Sequence, residues 1–171
     1  MFTTTAGTVK CKKASYAGTT SVNATEATQT VTPTYSECTA FGFVGATIDV
    51  NECEYQFGVS GKDASNNPIG GVTIVCPKVK KYIEVTTTGV CDVKVFQQTR
   101  PGITYTNIAG MPKHVHVHVA ITGLHYEQTG TSPFNCIGGN GTKTNGTYNG
   151  QATVKAFETA GNQVDAWVTG T

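Results

Sequence analysis

Apolar and polar side chains alternate with a period of two along most of this 171-residue chain. Val44, Ala46, Ile48 and Val50 share one face, with Thr47 and Asp49 on the other; after Asn51-Glu52, Cys53, Tyr55, Phe57 and Val59 alternate with Glu54 and Gln56. Successive side chains of a strand point to opposite faces, so the pattern specifies half-buried β-strands; no stretch keeps a helical period for more than a turn. Composition agrees. Leu occurs once, at Leu124, and Met twice, while Thr, Gly, Val and Asn abound. Leu, Met, Glu and Lys favour helices and β-branched residues favour strands, so the expected class is all-β.

Strands are expected over 40–50, 53–59, 72–75, 82–87, 90–98, 102–107 and 114–124, with a terminal pair near 147–158 and 163–168. Thr88-Gly89 reads as a tight turn, and 61–71 and 129–145 as Gly- and Asn-rich loops. Tyr148 and Trp167 are expected to anchor the terminal pair. About ten strands at short intervals suit an antiparallel β-sandwich or a jelly roll. No interior shift in composition marks a boundary, so residues 1–171 read as one domain.

Six cysteines, Cys11, Cys38, Cys53, Cys76, Cys91 and Cys136, form no CxxC pair and no Cys-His cluster. Cys38 and Cys53 enclose fourteen residues, as do Cys76 and Cys91. Each pair brackets an expected hairpin, so the expected disulfides are Cys38–Cys53, Cys76–Cys91 and, by elimination, Cys11–Cys136. Six cysteines allow fifteen connectivities, and six buried free thiols are the alternative. Disulfides imply an oxidising compartment, hence a secreted or surface-exposed protein. The polar start Met1-Phe2-Thr3-Thr4-Thr5 has no secretion-signal pattern, so Met1 reads as an initiator added to a mature sequence. No apolar run is long enough to suggest a membrane span.

Twelve basic and eleven acidic side chains leave a net charge of +1. A nucleic-acid binder would need a basic stripe to displace counterions, so nucleic acid is not an expected partner.

The unusual constellation is His114-Val115-His116-Val117-His118-Val119. Strand alternation puts the three histidines on one face and Val115, Val117, Val119 and Ile121 on the other. Neighbouring imidazoles at i and i+2 suit zinc or copper, which makes His114, His116 and His118 the candidate metal ligands. His114 and His118 are about 13 Å apart along a strand, too far to share one ion, and His125 falls on the opposite face. The plain alternative is an exposed strand whose polar residues are histidines. Tyr105, Tyr126, Tyr148 and Trp167 are candidates for a sugar-stacking platform, or else core and strand-end residues. Gly138 to Thr144 lacks the phosphate-loop pattern, Gly58-Val59-Ser60-Gly61 is no nucleophile elbow, and no carboxylate pair stands out. No catalytic residue is assigned.

The stretches YSECTAFGFVGATIDVNECEYQF (35–57), VTIVCP (72–77), CDVKV (91–95) and NGTYNGQATVKAF (145–157) resemble a family of uncharacterised secreted proteins of soil actinobacteria, present as many paralogues per genome. The resemblance covers most of 35–157 and implies an exported, disulfide-bonded β-domain, with no activity, cofactor or catalytic residue attached. The HVHVHV strand has no counterpart in that pattern. The expected function is an extracellular structural or adhesive module, not an enzyme, that self-associates or meets a cell-surface partner by strand addition. Thr19 to Thr34 is its expected edge or donor strand. A zinc or copper protein using the histidine strand comes second, and a carbohydrate-binding module third.

Overall fold

The computed structural model describes all residues except 21–25, 78, 88, 131–135 and 171. The described residues are all-β. In chain order the strands are β1 (Phe2–Thr4), β2 (Gly7–Ala17), β3 (Thr28–Ala40), β4 (Val44–Asp49), β5 (Glu54–Lys62), β6 (Pro68–Val75) and β7 (Tyr82–Thr87). β8 (Cys91–Phe96), β9 (Gln98–Ile108), β10 (His114–Gly130) and β11 (Gly141–Val154) follow, then the short pair β12 (Ala156–Phe157) and β13 (Gln163–Val164). The strands from β1 to β11 form one sheet that closes on itself as an eight-stranded barrel, where a sandwich or jelly roll was expected. Where the ring is complete, closure removes the open sheet edges that two packed sheets would leave.

Two long strands organise the wall. One edge of β3 pairs with β2 along Thr32–Ala40; the other pairs with β5 along Thr28–Val31 and with β4 along Cys38–Ala40. β10 likewise has β11 on one edge, and on the other β9 along His114–Val119, then β8 along Tyr126–Gly130. The barrel therefore has two levels. At the lower level β2, β3, β4, β7, β8, β10, β11 and β1 make a complete ring of eight. At the upper level the ring runs β2, β3, β5, β6, β9, β10, β11 and stops. β1 pairs at Phe2–Thr4 only, so it fills the lane between β2 and β11 at the lower level alone.

The interior follows the alternation. Val93, Val95, Val115, Val117, Ile83, Val85, Val72 and Ile74 point inward and are buried. Glu37 adopts φ 54° in the middle of β3. There the inward set switches, from Tyr35 and Pro33 above to Cys38 and Ala40 below, with no change in the register to β2, so one strand serves both levels. Gly70 is required by close approach: a Cβ there would stand 1.8 Å from the Gly58 carbonyl oxygen. The lower end is sealed by polar groups. The Tyr126 hydroxyl accepts from the Thr5 amide at 2.8 Å and donates to Asn145 Oδ1 at 3.1 Å, while Gln128 Nε2 donates to the carbonyls of Ile137 and Gly139. Tyr126 and Gln128 are fully buried, and these bonds offset the desolvation of their polar atoms.

The disulfides are Cys11–Cys38, Cys53–Cys76 and Cys91–Cys136, which corrects all three expected pairings. The equal spacings misled because β4 and β5 are not a hairpin. Asn51 and Glu52, at φ 48° and 60°, send the chain from β4, between β3 and β7, to β5, between β3 and β6. Register decides the pairing instead. Cys11 lies directly opposite Cys38. Glu54 lies opposite Val75, so Cys53 and Cys76 are the next facing positions of that hairpin. Cys91 opens β8 beside Gly130, where the segment leading to Cys136 begins.

From Thr28 to Thr34 the Thr-rich segment is the first half of β3, paired with β5 along Thr28–Val31 and with β2 along Thr32–Thr34. Residues 21–25 of it lie outside the described set, as does Thr88 of the expected β7–β8 turn. The expected 129–145 loop shrinks, because β10 continues to Gly130 and β11 begins at Gly141.

Candidate functional site

The upper level leaves a seam between β2 and β11, directly above β1. On one side, Met1 is the last residue in the lane: its amide carbonyl accepts from the Asn149 N–H at 2.9 Å, and its ammonium donates to the Asn149 carbonyl at 2.7 Å. Burial first and the neighbouring Lys10 second depress the pKa of that ammonium. Above it, among the described residues, no main-chain pairing joins the facing edges of β2 from Lys10 to Ala17 and of β11 from Gly150 to Val154. In an antiparallel ladder successive residues direct their peptide groups to alternate edges. Met1 bonds to Asn149, so Gln151 presents the next N–H and C=O to the seam. The Thr8 carbonyl accepts from Phe41 on the β3 side, so Val9 and then Cys11 face the lane.

Side chains show the same opening. Ala14 lies opposite the inward Tyr35 yet is exposed. Val154 lies opposite Val115, which is 3% exposed, yet is itself 44% exposed. Below the seam four tyrosines crowd the interior from both walls. The hydroxyls of Tyr16 and Tyr148 meet at 3.0 Å, and those of Tyr35 and Tyr55 at 2.9 Å. The Tyr16 ring is edge-on to Tyr35, centroids 6.3 Å apart, and tilted against Tyr55 at 6.4 Å. Burial pushes the Tyr35, Tyr55 and Tyr148 hydroxyls well above the ordinary phenol range, and in Tyr35 and Tyr148 the neighbouring hydroxyls push the same way. Burial also pushes Tyr105 up, to about 12. Tyr35, Tyr55 and Tyr148 therefore stay neutral at physiological pH. Nothing in its sequence spacing signalled it, because β2, β3, β5 and β11 contribute one ring each.

The histidine strand lies elsewhere. His114 and His116 are half-buried and His118 is exposed, on the outer face of the upper half of β10. Their cross-strand neighbours are Ile108, Thr106 and Thr104 on β9, and Thr153 and Gln151 on β11. His125, expected on the opposite face, is also exposed on the outer face, because register shifts between Ile121 and Tyr126 reverse the alternation and turn Leu124 and Tyr126 inward; it sits on the lower half of β10, and its amide donates to Gln98 Oε1 at 2.9 Å. Among the described residues no three His, Cys, Asp or Glu side chains gather as a metal site.

The four aromatics considered for sugar stacking are not brought together. Tyr126 and Tyr105 are buried at 0% and 4% exposure, and Tyr148 belongs to the quartet. Trp167 is half exposed under the Lys113 ammonium, 5.3 Å from the ring centroid. Nor does it pair with Tyr148 to anchor a terminal hairpin. The C-terminal segment instead crosses the upper end of the barrel, where Asn107 clamps Val168 through both its side-chain atoms at 2.7 and 2.9 Å. The enclosed space at the lower end, lined by Phe2, Val9, Ala40 and Val93 among others, is about 10 Å³, room for no more than a water. No family model matches the chain, and no curated protein or solved structure matches it either.

Proposed function

We propose that the chain is an exported structural or adhesive module that joins a neighbour by accepting an extended strand into the seam between β2 and β11. The observation carrying this reading is that, among the described residues, the facing edges of β2 above Val9 and of β11 above Asn149 share no main-chain pairing, whereas β1 joins the same two strands below. Exposed N–H and C=O groups in extended register are a template for strand addition, and here two edges would bind one strand. The three disulfides support an extracellular setting, in keeping with the resemblance to exported actinobacterial domains. The reading is of binding rather than catalysis.

A chain extended upstream of Met1 by about seven residues alternating Thr and Val tests it, since that length spans the seam at roughly 3.3 Å per residue. The extension is expected to raise the melting temperature and protect the seam amides from hydrogen exchange. No gain in either would overturn the reading. A second reading, weak zinc or copper binding on the outer face of β10, is favoured by His114, His116 and His118 standing in one row.

A further inference from the structure

The two walls of the seam are unbalanced in charge. Residues 10–17 carry Lys10, Lys12 and Lys13, residues 149–155 carry Lys155, and neither stretch contains an Asp or Glu. All four lysines are exposed. Lys13 reaches Glu37 on β3, an exposed pair of little strength that leaves the other three without a carboxylate on their own walls. The whole chain is nearly neutral, at +1, so this concentration is local rather than a reflection of composition.

Resting on the strand-acceptor reading, we propose that the partner is an acidic extended peptide, lying in the lane in the direction of β1, with apolar side chains inward and carboxylates outward among Lys10, Lys12 and Lys155. Direction follows from the ladder: β1 is antiparallel to both β2 and β11, and a strand in the same lane with the same sense is antiparallel to both walls, the better-bonded arrangement. Its peptide groups meet those of Cys11 on one side and Gln151 on the other. Its inward side chains rest over Ala14, Gly150 and Ala152, small residues that leave room above the tyrosine quartet. Its outward carboxylates face lysines that a basic or neutral strand would leave unanswered. Exposed charges of this kind set partner choice and association rate more than ultimate affinity.

The test is a fluorescence titration of the full chain with three labelled, end-blocked peptides: one alternating Glu and Val, one alternating Lys and Val, and a Glu–Val peptide with Pro at its centre to break main-chain pairing. The Glu–Val peptide is expected to bind about tenfold or more tighter than the Lys–Val peptide at low salt, a gap that narrows as salt screens the lysines. The proline peptide is expected not to bind. Exchanging Lys12→Glu together with Lys155→Glu is expected to reverse the preference. Equal binding of both alternating peptides would overturn the acidic partner while leaving the strand-acceptor reading intact. Concentration-dependent dimers formed without peptide would assign the lane to a second copy and overturn it as well. If no peptide binds while the upstream-extended chain is stabilised, only the present inference fails; if neither occurs, both fail.

Discussion

The hydroxyls of Tyr16 and Tyr148 meet at 3.0 Å from opposite walls of the barrel, β2 and β11, which among the described residues no main-chain hydrogen bond joins above β1. A side-chain contact thus bridges the walls where the ladder does not. Tyr16→Phe leaves the Tyr148 hydroxyl without that partner and is expected to cost about 1–2 kcal/mol in a urea melt. The double change Tyr16→Phe with Tyr148→Phe is expected to cost less than the sum of the single changes, because both remove one bond. Strict additivity would show that the two hydroxyls are not coupled.

The tyrosine quartet also sets the alkaline limit. Folding raises the pKa of Tyr35, Tyr55 and Tyr148, so above the ordinary phenol value the unfolded chain loses protons that the folded chain keeps. Stability then falls as pH rises, the sign set by fewer protons on the unfolded state. The contribution is complete below about pH 10 and declines from there upward. Absorbance at the phenolate band, followed with pH, is expected to show those three tyrosines ionising together with unfolding. Their titration near pH 10 in a folded chain would contradict the burial.

Peptide mapping without reduction is expected to give Cys11–Cys38, Cys53–Cys76 and Cys91–Cys136. Replacing Cys53 and Cys76 together by Ala is expected to cost roughly 3 kcal/mol, the loop-closure entropy for a separation of 23 residues. A peptide joining Cys38 to Cys53 would contradict the register of β3.

The sequence made strand identity legible and strand partnership illegible. Alternation placed most of the strands, and put Val115 and Val117 inside with the histidines opposite, because facing is a local property of an extended chain. Pairing is not local. Cys38 sits nearer in sequence to Cys53, yet a turn at Asn51 and Glu52 sends β4 and β5 to different neighbours, and Cys11 takes the facing position. The barrel was hidden for the same reason: β3 and β10 each change partner midway, and nothing in their alternation announces it. The seam depends on β1, β2 and β11 lying side by side in one sheet, a partnership that strand alternation does not report.

The histidine row is expected to hold copper or zinc loosely. His116 has a histidine two residues away on either side, so His116→Ala should weaken retention on an immobilised copper column more than His114→Ala or His118→Ala, with the melting temperature unchanged. Stoichiometric metal surviving dialysis would contradict a two-ligand site.

Hydrogen exchange resolved by residue tests the vacant lane most directly. The amides of Cys11 and Gln151, facing the seam, are expected to exchange far faster than those of Val93 and Val117, which lie in strands flanked on both sides. Adding the Glu–Val peptide is expected to slow the Cys11 and Gln151 amides and leave the other two as they were. Equal protection of all four in the free chain would mean that the upper ring is already closed, and would contradict the account.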